Sequence, residues 1–445
     1  MDIALYTIRT IAFIITQPIT LVWIAIFGMV FYRQNKKTAV MQKMIVGESI
    51  NSPFELTISQ IVVGILAGVV GSVILSYLGV MFDENSAIFL IFLVSLMFMF
   101  VNPKLICFSY SGALIGLISV ILSQIAMSNK GVVVNFFGTN INMVDIDILK
   151  IDVVALMSLV GVLHIIEGLL VVIDGRKGAI PVFSNKEGNI IGGFALKRYW
   201  ILPIALMLMS LSTAGAASTA GASSYVPTPD WWPLIKPSMS AAEFNRVVIS
   251  MLPLFGGLGF SSVTFTQSKA KKTYTSGALI ACFGVLLTLV AQLGNINFFT
   301  KILVLIFAPV AHEGMLFLNK YIEKKGKNKF VSTKDSIMVL DVAPNTPAHE
   351  MGIKSGDLIV EINNRKIESE EQIITIMTGT SNFFWLKIKK PTGEFKEVHY
   401  NKMNENKRLG IVFVPIGVPK DSMVIKFDET KFSDVLNKIK NKKDD

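Results

Sequence analysis

Residues 153–173 read VVALMSLVGVLHIIEGLLVVI. Only His164 and Glu167 in this stretch can carry a charge. A helix crossing the hydrocarbon core of a bilayer needs about 20 mostly apolar residues, and this run supplies them. Reading outward, comparable runs occur at 11–31, 57–82, 87–101, 105–126, 199–220, 247–266, 276–294 and 298–318. The apolar-run rule therefore predicts an α-helical polytopic membrane bundle of about nine spans over residues 1–320. The run at 87–101 is short, and the one at 276–294 is interrupted by Gln292 near its end.

Composition supports this class. Of 445 residues, 52% are hydrophobic and 17% charged, against about 25% charged in an ordinary globular chain. That excludes a soluble enzyme, a disordered chain and a coiled coil. Cys107 and Cys282 both lie in apolar runs, which excludes a disulfide scaffold and reads them as reduced core residues. The first run has span length and lacks a basic n-region and a small-residue cleavage site, so no cleavable signal peptide is expected. The net charge of +10 does not point to nucleic acid, because no basic stripe interleaved with aromatics is present.

The positive charge instead flanks the apolar runs. Arg33, Lys36, Lys37 and Lys43 follow the first, and Arg176, Lys177, Lys186, Lys197 and Arg198 lie between the fifth and sixth. Lys269, Lys271 and Lys272 follow the seventh, and Lys320, Lys324, Lys325, Lys327 and Lys329 the ninth. The intervening loops hold Asp83, Glu84, Asp145, Asp147 and Asp230, with Lys130, Lys150, Lys236 and Arg246 as exceptions. By the positive-inside rule this predicts an outside N-terminus and a cytoplasmic C-terminal region. Gly64, Gly68 and Gly71 form a small-residue face suited to close helix packing. Trp231 and Trp232 suit a membrane interface.

Near residue 330 long apolar runs give way to short alternating ones. Strands are expected at 336–342, 358–362, 383–389, 395–400 and 409–413, with a helix over 369–377 opened by the Ser369/Gln372 capping box. Gly352 and Gly356 permit tight backbone before the second strand, and Asn363-Asn364 a turn after it. The segment 352–367, GIKSGDLIVEINNRKI, with Asp357 and Asn363 inside it, resembles a PDZ domain of the bacterial type. That resemblance implies a small α+β domain over 330–418 that binds an extended peptide by strand addition. The implied groove comprises Leu409, Gly410, Ile411, Val412 and Phe413 on the strand side and Ile373, Ile374 and Met377 on the helix side. Gly257-Leu258-Gly259-Phe260 spells a PDZ carboxylate loop but lies in an apolar run, out of reach of a peptide. The charged tail 419–445 carries Phe432, Val435, Leu436 and Ile439 on one helical face. It reads either as a short helix docked on the domain or as an amphipathic helix on anionic lipid.

A polytopic bundle followed by a PDZ domain ending in LGIVFVP resembles the MinJ family of division-site determinants in Gram-positive bacteria. Segments 164–170 (HIIEGLL), 175–183 (GRKGAIPVF) and 308–316 (APVAHEGML) are similar to that family too. The resemblance implies a non-enzymatic adaptor in the bacterial plasma membrane, at septum and poles, contacting lipid. It would couple a DivIVA-like polar scaffold to a MinD-like division inhibitor. A transporter-like or signalling protein with a regulatory PDZ domain, or a remote inactive intramembrane protease, are the alternatives.

Ionisable residues inside spans are functional candidates by default. His164 and Glu167 share a helix face, and with His312 and Glu313 they could form a polar cluster within the bundle. A structural hydrogen-bonded cluster, an ion or proton path and a metalloprotease centre are the readings open. A zinc protease needs HExxH, and 312–316 read HEGML, with Leu316 at the second ligand position. Asp174 precedes that pair, the reverse of the order such enzymes require. No catalytic residue, metal or cofactor is therefore expected. His349 and His399 read as ordinary surface or packing histidines.

Overall fold

A computed structural model of the protein describes residues 2–46, 50–101, 105, 107–129, 132–136, 139–142, 147–186, 188–211, 229–235, 244, 247–367, 383–401 and 409–416. The chain begins with helices α1 (Asp2–Thr16) and α2 (Pro18–Val46), bent by 72° at their junction. Pro18 opens α2, where its missing N–H costs nothing, but it cannot continue the hydrogen-bond ladder of α1. Helix α3 (Pro53–Leu78) follows, capped by Ser52. Then come strand β1 (Met81–Asp83), helices α4 (Leu90–Val101) and α5 (Phe108–Ser128), strands β2 (Val133–Phe136) and β3 (Thr139–Asn142), and α6 (Val153–Asp174).

The predicted runs at 57–82, 105–126, 153–173, 276–294 and 298–318 correspond to helices. Five described helices are long and apolar enough to cross a membrane, or six if the bent pair α1–α2 forms one span. Nine spans are not present among the described residues. Helix α4 has 12 residues, about 18 Å of axis, too short to cross about 30 Å of hydrocarbon.

The runs expected as spans at 199–220 and 247–266 are not helical where described. They belong to the long strands β5 (Asn189–Leu211) and β6 (Val247–Thr264), paired antiparallel along residues 194–211 and 247–264. Hydropathy measures apolarity, not period. Pro203 and Pro253 would interrupt helices in mid-run, and Gly256, Gly257 and Gly259 would weaken the second. Strand β4 (Ile180–Lys186) pairs with the start of β5, and β1 runs parallel to its end.

Between those partners the edge of β5 lies against α3. Ala205 N–H donates to Ser72 Oγ at 3.0 Å. A Cβ on Gly64 or Gly68 would collide with the Ile201 or Pro203 carbonyl oxygen. The small-residue face thus receives a strand rather than another helix. A residue's N–H and C=O point to the same side of a strand. The donor that Pro203 lacks therefore falls on the helix-facing edge and breaks no ladder.

Helices α7 (Lys269–Ala291) and α8 (Phe298–Lys325) complete the bundle. Helix α7 runs against α6 through glycines spaced seven apart on each helix. A Cβ on Gly161 would lie 2.7 Å from Gly284 O, and one on Gly168 2.5 Å from Gly277 O. Strand β7 (Phe330–Val331) joins β5 at Ile191 and Gly192.

The C-terminal unit contains β8 (Ile337–Val342), the short helix α9 (Pro347–Glu350), β9 (Leu358–Ile362), β10 (Arg365–Lys366), β11 (Phe383–Lys389), β12 (Phe395–Asn401) and β13 (Ile411–Phe413). Their order is β12-β11-β9-β8-β13, with β10 on β9. The expected helix 369–377 and the tail 419–445 lie outside the described residues.

The bundle has two distinct ends. At the end facing the C-terminal unit, Gln42 Nε2 donates to Ala179 O (2.9 Å), Ser59 Oγ to Asp174 Oδ1 (2.6 Å) and Lys269 Nζ to Asp341 Oδ1 (2.8 Å). At the other end, Ile3, Met81, Met207 and Trp232 form one cluster. There too Ala87 N–H donates to Leu149 O and Ile235 N–H to Leu78 O. Basic segments 176–198, 269–272 and 320–329 thus gather at the C-terminal unit's end, and Asp83 and Glu84 at the opposite one.

Candidate functional site

Inside the bundle α5, α6 and α8 bring Cys107, His164 and His312 together, though the last two lie 57 and 205 residues along the chain from Cys107. His164 lies midway along α6 and is 2% exposed; His312 lies midway along α8 and is 7% exposed. Cys107 is the N-cap of α5, its Sγ accepting from Ser109 N–H at 3.4 Å. Sγ is 3.0 Å from His164 Nε2 and 3.4 Å from His312 Nε2. One ligand atom from each residue lies within 4.8 Å of the other two. The ring of Phe283 packs edge-to-face with both imidazoles, with ring centroids 4.9 and 5.6 Å away.

The far ring nitrogens are also held. His164 Nδ1 is 2.7 Å from Val160 O. A carbonyl only accepts, so Nδ1 carries the proton and Nε2 of neutral His164 is a lone pair. His312 Nδ1 is 3.1 Å from Tyr110 Oη, whose hydroxyl donates to Glu313 Oε1. The phenol's single proton is used on Glu313, so Nδ1 of His312 donates and its Nε2 is likewise a lone pair. Glu167 Oε2 lies 4.0 Å from His164 Nε2.

Of the four residues read as a polar cluster, the structure places His164 and His312 in direct proximity. Glu167 lies beside His164, and Glu313 is reached through Tyr110. Sequence reading missed Cys107, Ser109 and Tyr110. A thiol counts as apolar, and nothing local marks Cys107 as the start of a helix facing two histidines. Asp174 sits elsewhere. At the C-terminal end of α6, its Oδ2 accepts from Arg198 Nε (3.0 Å) and Trp200 Nε1 (2.9 Å), and its Oδ1 from Lys177 Nζ (3.1 Å).

In the C-terminal unit, Gly352 and Gly356 have φ of 72° and 96°, and Asn363 and Asn364 have 49° and 64°. The glycines adopt left-handed conformations without a Cβ penalty. Buried Asp357 accepts from Lys354 N–H at 2.8 Å and Lys390 Nζ at 2.7 Å. Asn363 Oδ1 accepts from Trp385 N–H at 2.9 Å. Leu409, Gly410, Ile411, Val412 and Phe413 form the approach to β13 and the strand itself. That strand pairs with β8 at one edge and ends the sheet among the described residues. Gly410 has φ 74°, and a Cβ there would meet the Thr346 side chain. Ile373, Ile374 and Met377 lie outside the described residues. The segment 257–260 is inside β6 and forms no peptide loop.

The family model of the PDZ domain matches residues 338–383. Over 265 residues the chain is 23% identical to the cell division topological determinant MinJ of Bacillus subtilis, covering 58% of this chain and 61% of that one. It is 32% identical over 126 residues to a probable serine protease do-like of Buchnera aphidicola, covering 26% of each. The chain thus spans about three-fifths of the first relative's length and a quarter of the second's. No solved structure matches significantly. With its long apolar helices, the chain is similar to MinJ over more than half its length and carries a PDZ domain in its C-terminal region.

Proposed function

We propose that this protein is an integral-membrane adaptor in the spatial control of bacterial cell division, holding a cytoplasmic protein through its PDZ domain. The observation that carries the reading is strand β13, at the end of a PDZ sheet joined to an apolar helical bundle. A terminal strand offers unpaired backbone groups to an extended peptide. Similarity to MinJ supplies the division context. The finer reading has the N-terminus outside and the PDZ domain inside, with the basic segments on the cytoplasmic side. It also has the protein bridging a DivIVA-like scaffold and a MinD-like inhibitor at septum and poles, with Leu409–Phe413, Ile373, Ile374 and Met377 as the groove.

The test is imaging of a fluorescent division regulator in cells carrying Gly410→Glu. The substituted protein should remain in the membrane, because the bundle is untouched. The regulator should leave poles and septa, and misplaced septa, minicells or filaments should follow. Normal septum placement after deletion of the whole gene would overturn the division reading. Normal placement with Gly410→Glu alone would overturn only the groove, leaving the bundle or residues 174–198 as the partner surface.

A further inference from the structure

We propose that Cys107, His164 and His312 bind a d10 metal cation, zinc(II) or copper(I), that ties α5 to α6 and α8. The argument starts from proton counting. With Nδ1 of His164 donating to Val160 O, and Nδ1 of His312 to Tyr110, both Nε2 atoms present lone pairs to Cys107 Sγ. The thiol has one proton for two lone pairs, and the other donor described is the Ser109 hydroxyl, at a long 3.4 Å from His164 Nε2. A cation coordinated by a thiolate and two neutral imidazoles satisfies all three at once.

The geometry suits such an ion. Bonds of about 2.3 Å to sulfur and 2.0 Å to nitrogen at tetrahedral angles set S···N edges of about 3.5 Å; the observed separations are 3.0 and 3.4 Å. Each imidazole has its second nitrogen fixed, one by a backbone carbonyl and the other by Tyr110 backed by Glu313, as outer-shell partners of metal-bound histidines are. Sγ sits at the N-terminus of the 21-residue α5 and accepts Ser109 N–H, both of which favour thiolate. Phe283 closes an apolar side.

Binding releases the thiol proton. The copper(I) complex is then neutral, whereas the zinc(II) complex carries +1. In an apolar surround zinc calls for a second anion, and Glu167, 4.0 Å from His164 Nε2, supplies it. The site differs from a zinc protease in ligand set and in joining three helices.

Full-length protein is purified in detergent without chelator and equilibrated separately with zinc(II) and, under reducing conditions, with copper(I). It is then desalted and assayed for metal per chain. One equivalent of either metal is expected, falling at least ~tenfold in Cys107→Ser and His312→Gln; Tyr110→Phe should weaken affinity by about tenfold through the outer shell. Glu167→Gln separates the two ions, since zinc retention falls and copper(I) retention does not. Cobalt(II) should give a thiolate charge-transfer band that Cys107→Ser abolishes. Monodisperse elution of each variant establishes that it is folded. Wild-type protein retaining neither ion, or Cys107→Ser retaining as much as wild type, overturns the proposal without touching the adaptor reading.

Discussion

The Asp174–Arg198 pair offers a sharp test of how the strand core is held in the bundle. Asp174 is fully buried and Arg198 is 1% exposed. Their partners differ, and that predicts an asymmetry. Without Arg198, Asp174 keeps Ser59 Oγ at 2.6 Å, Trp200 Nε1 at 2.9 Å and Lys177 Nζ at 3.1 Å. Without the carboxylate, Arg198 keeps only the Leu56 carbonyl, 3.4 Å from both terminal nitrogens, among the partners described. Asp174→Asn should therefore cost about 3–5 kcal/mol, the cost of stranding a buried charge. Arg198→Met should cost less, about 1.5–3 kcal/mol for a lost charge-assisted hydrogen bond. The double variant Asp174→Leu/Arg198→Met should recover much of the loss, because no ion remains buried. Denaturant unfolding of detergent-solubilised protein, followed by tryptophan fluorescence, measures all three, with buried Trp200 at the site. Equal costs for the two single variants, or Arg198→Met costing more, would refute the argument.

Gly68→Val should destabilise by about 3 kcal/mol, since its Cβ meets backbone that cannot rotate away; thermal unfolding checks it, and an unchanged midpoint counts against α3–β5 contact. Asp341→Asn removes the Lys269 clamp (2.8 and 2.9 Å) and should loosen PDZ docking by about 1.5–3 kcal/mol. Faster limited proteolysis within 326–336 is the readout. For topology, exposed Asn85 and Lys334 replaced singly by Cys should differ towards an impermeant thiol reagent on intact cells. Labelling is expected at 85 and not at 334, and the reverse would invert the orientation.

Five of the apolar runs became single helices of span length because length and hydropathy suffice for a segment that hydrogen-bonds to itself. The β5–β6 hairpin was hidden because its pairing is not local: hydropathy registers the leucines and isoleucines of 199–211 and ignores Pro203. The prolines and glycines of the two runs were the available signal, and an apolar-run rule does not weigh them. Despite the changed count, basic segments still gather at one end. The sixth and seventh runs leave that end and return as strands, as two helices would have done. Residues 84–128 begin and finish at the other end, so α4 and α5 alter no parity. In the PDZ unit, alternation and turn chemistry made strands legible to within a residue or two. At the Cys–His cluster two members stood out as ionisable groups in apolar runs. The third did not, because a cysteine among leucines has no local signature until helix packing places it.

The junction between the bundle and the PDZ unit decides which experiments can speak to function. Met338, Leu340, Val412 and Val414 share one continuous core with Phe194, Leu196 and Phe330. Phe330 and Phe194, both fully buried, meet edge-to-face with centroids 5.5 Å apart. A Cβ on Gly192 of β5 would lie 2.7 Å from a Val414 methyl. The domain is thus packed on the end of the sheet that threads the bundle, not held on a free tether. Removing residues after 330 would strip that end of its cover and expose several large apolar side chains, each worth about 1.5–3 kcal/mol of burial. Loss of function on truncation would then report a damaged bundle as readily as a missing peptide site. A substitution that leaves this core intact avoids the ambiguity. The three atoms nearest a Cβ on Gly410 all belong to Thr346, within the PDZ unit. A recruitment defect in Gly410→Glu at unchanged membrane abundance is therefore attributable to the PDZ unit, whereas the same defect in a truncated chain is not.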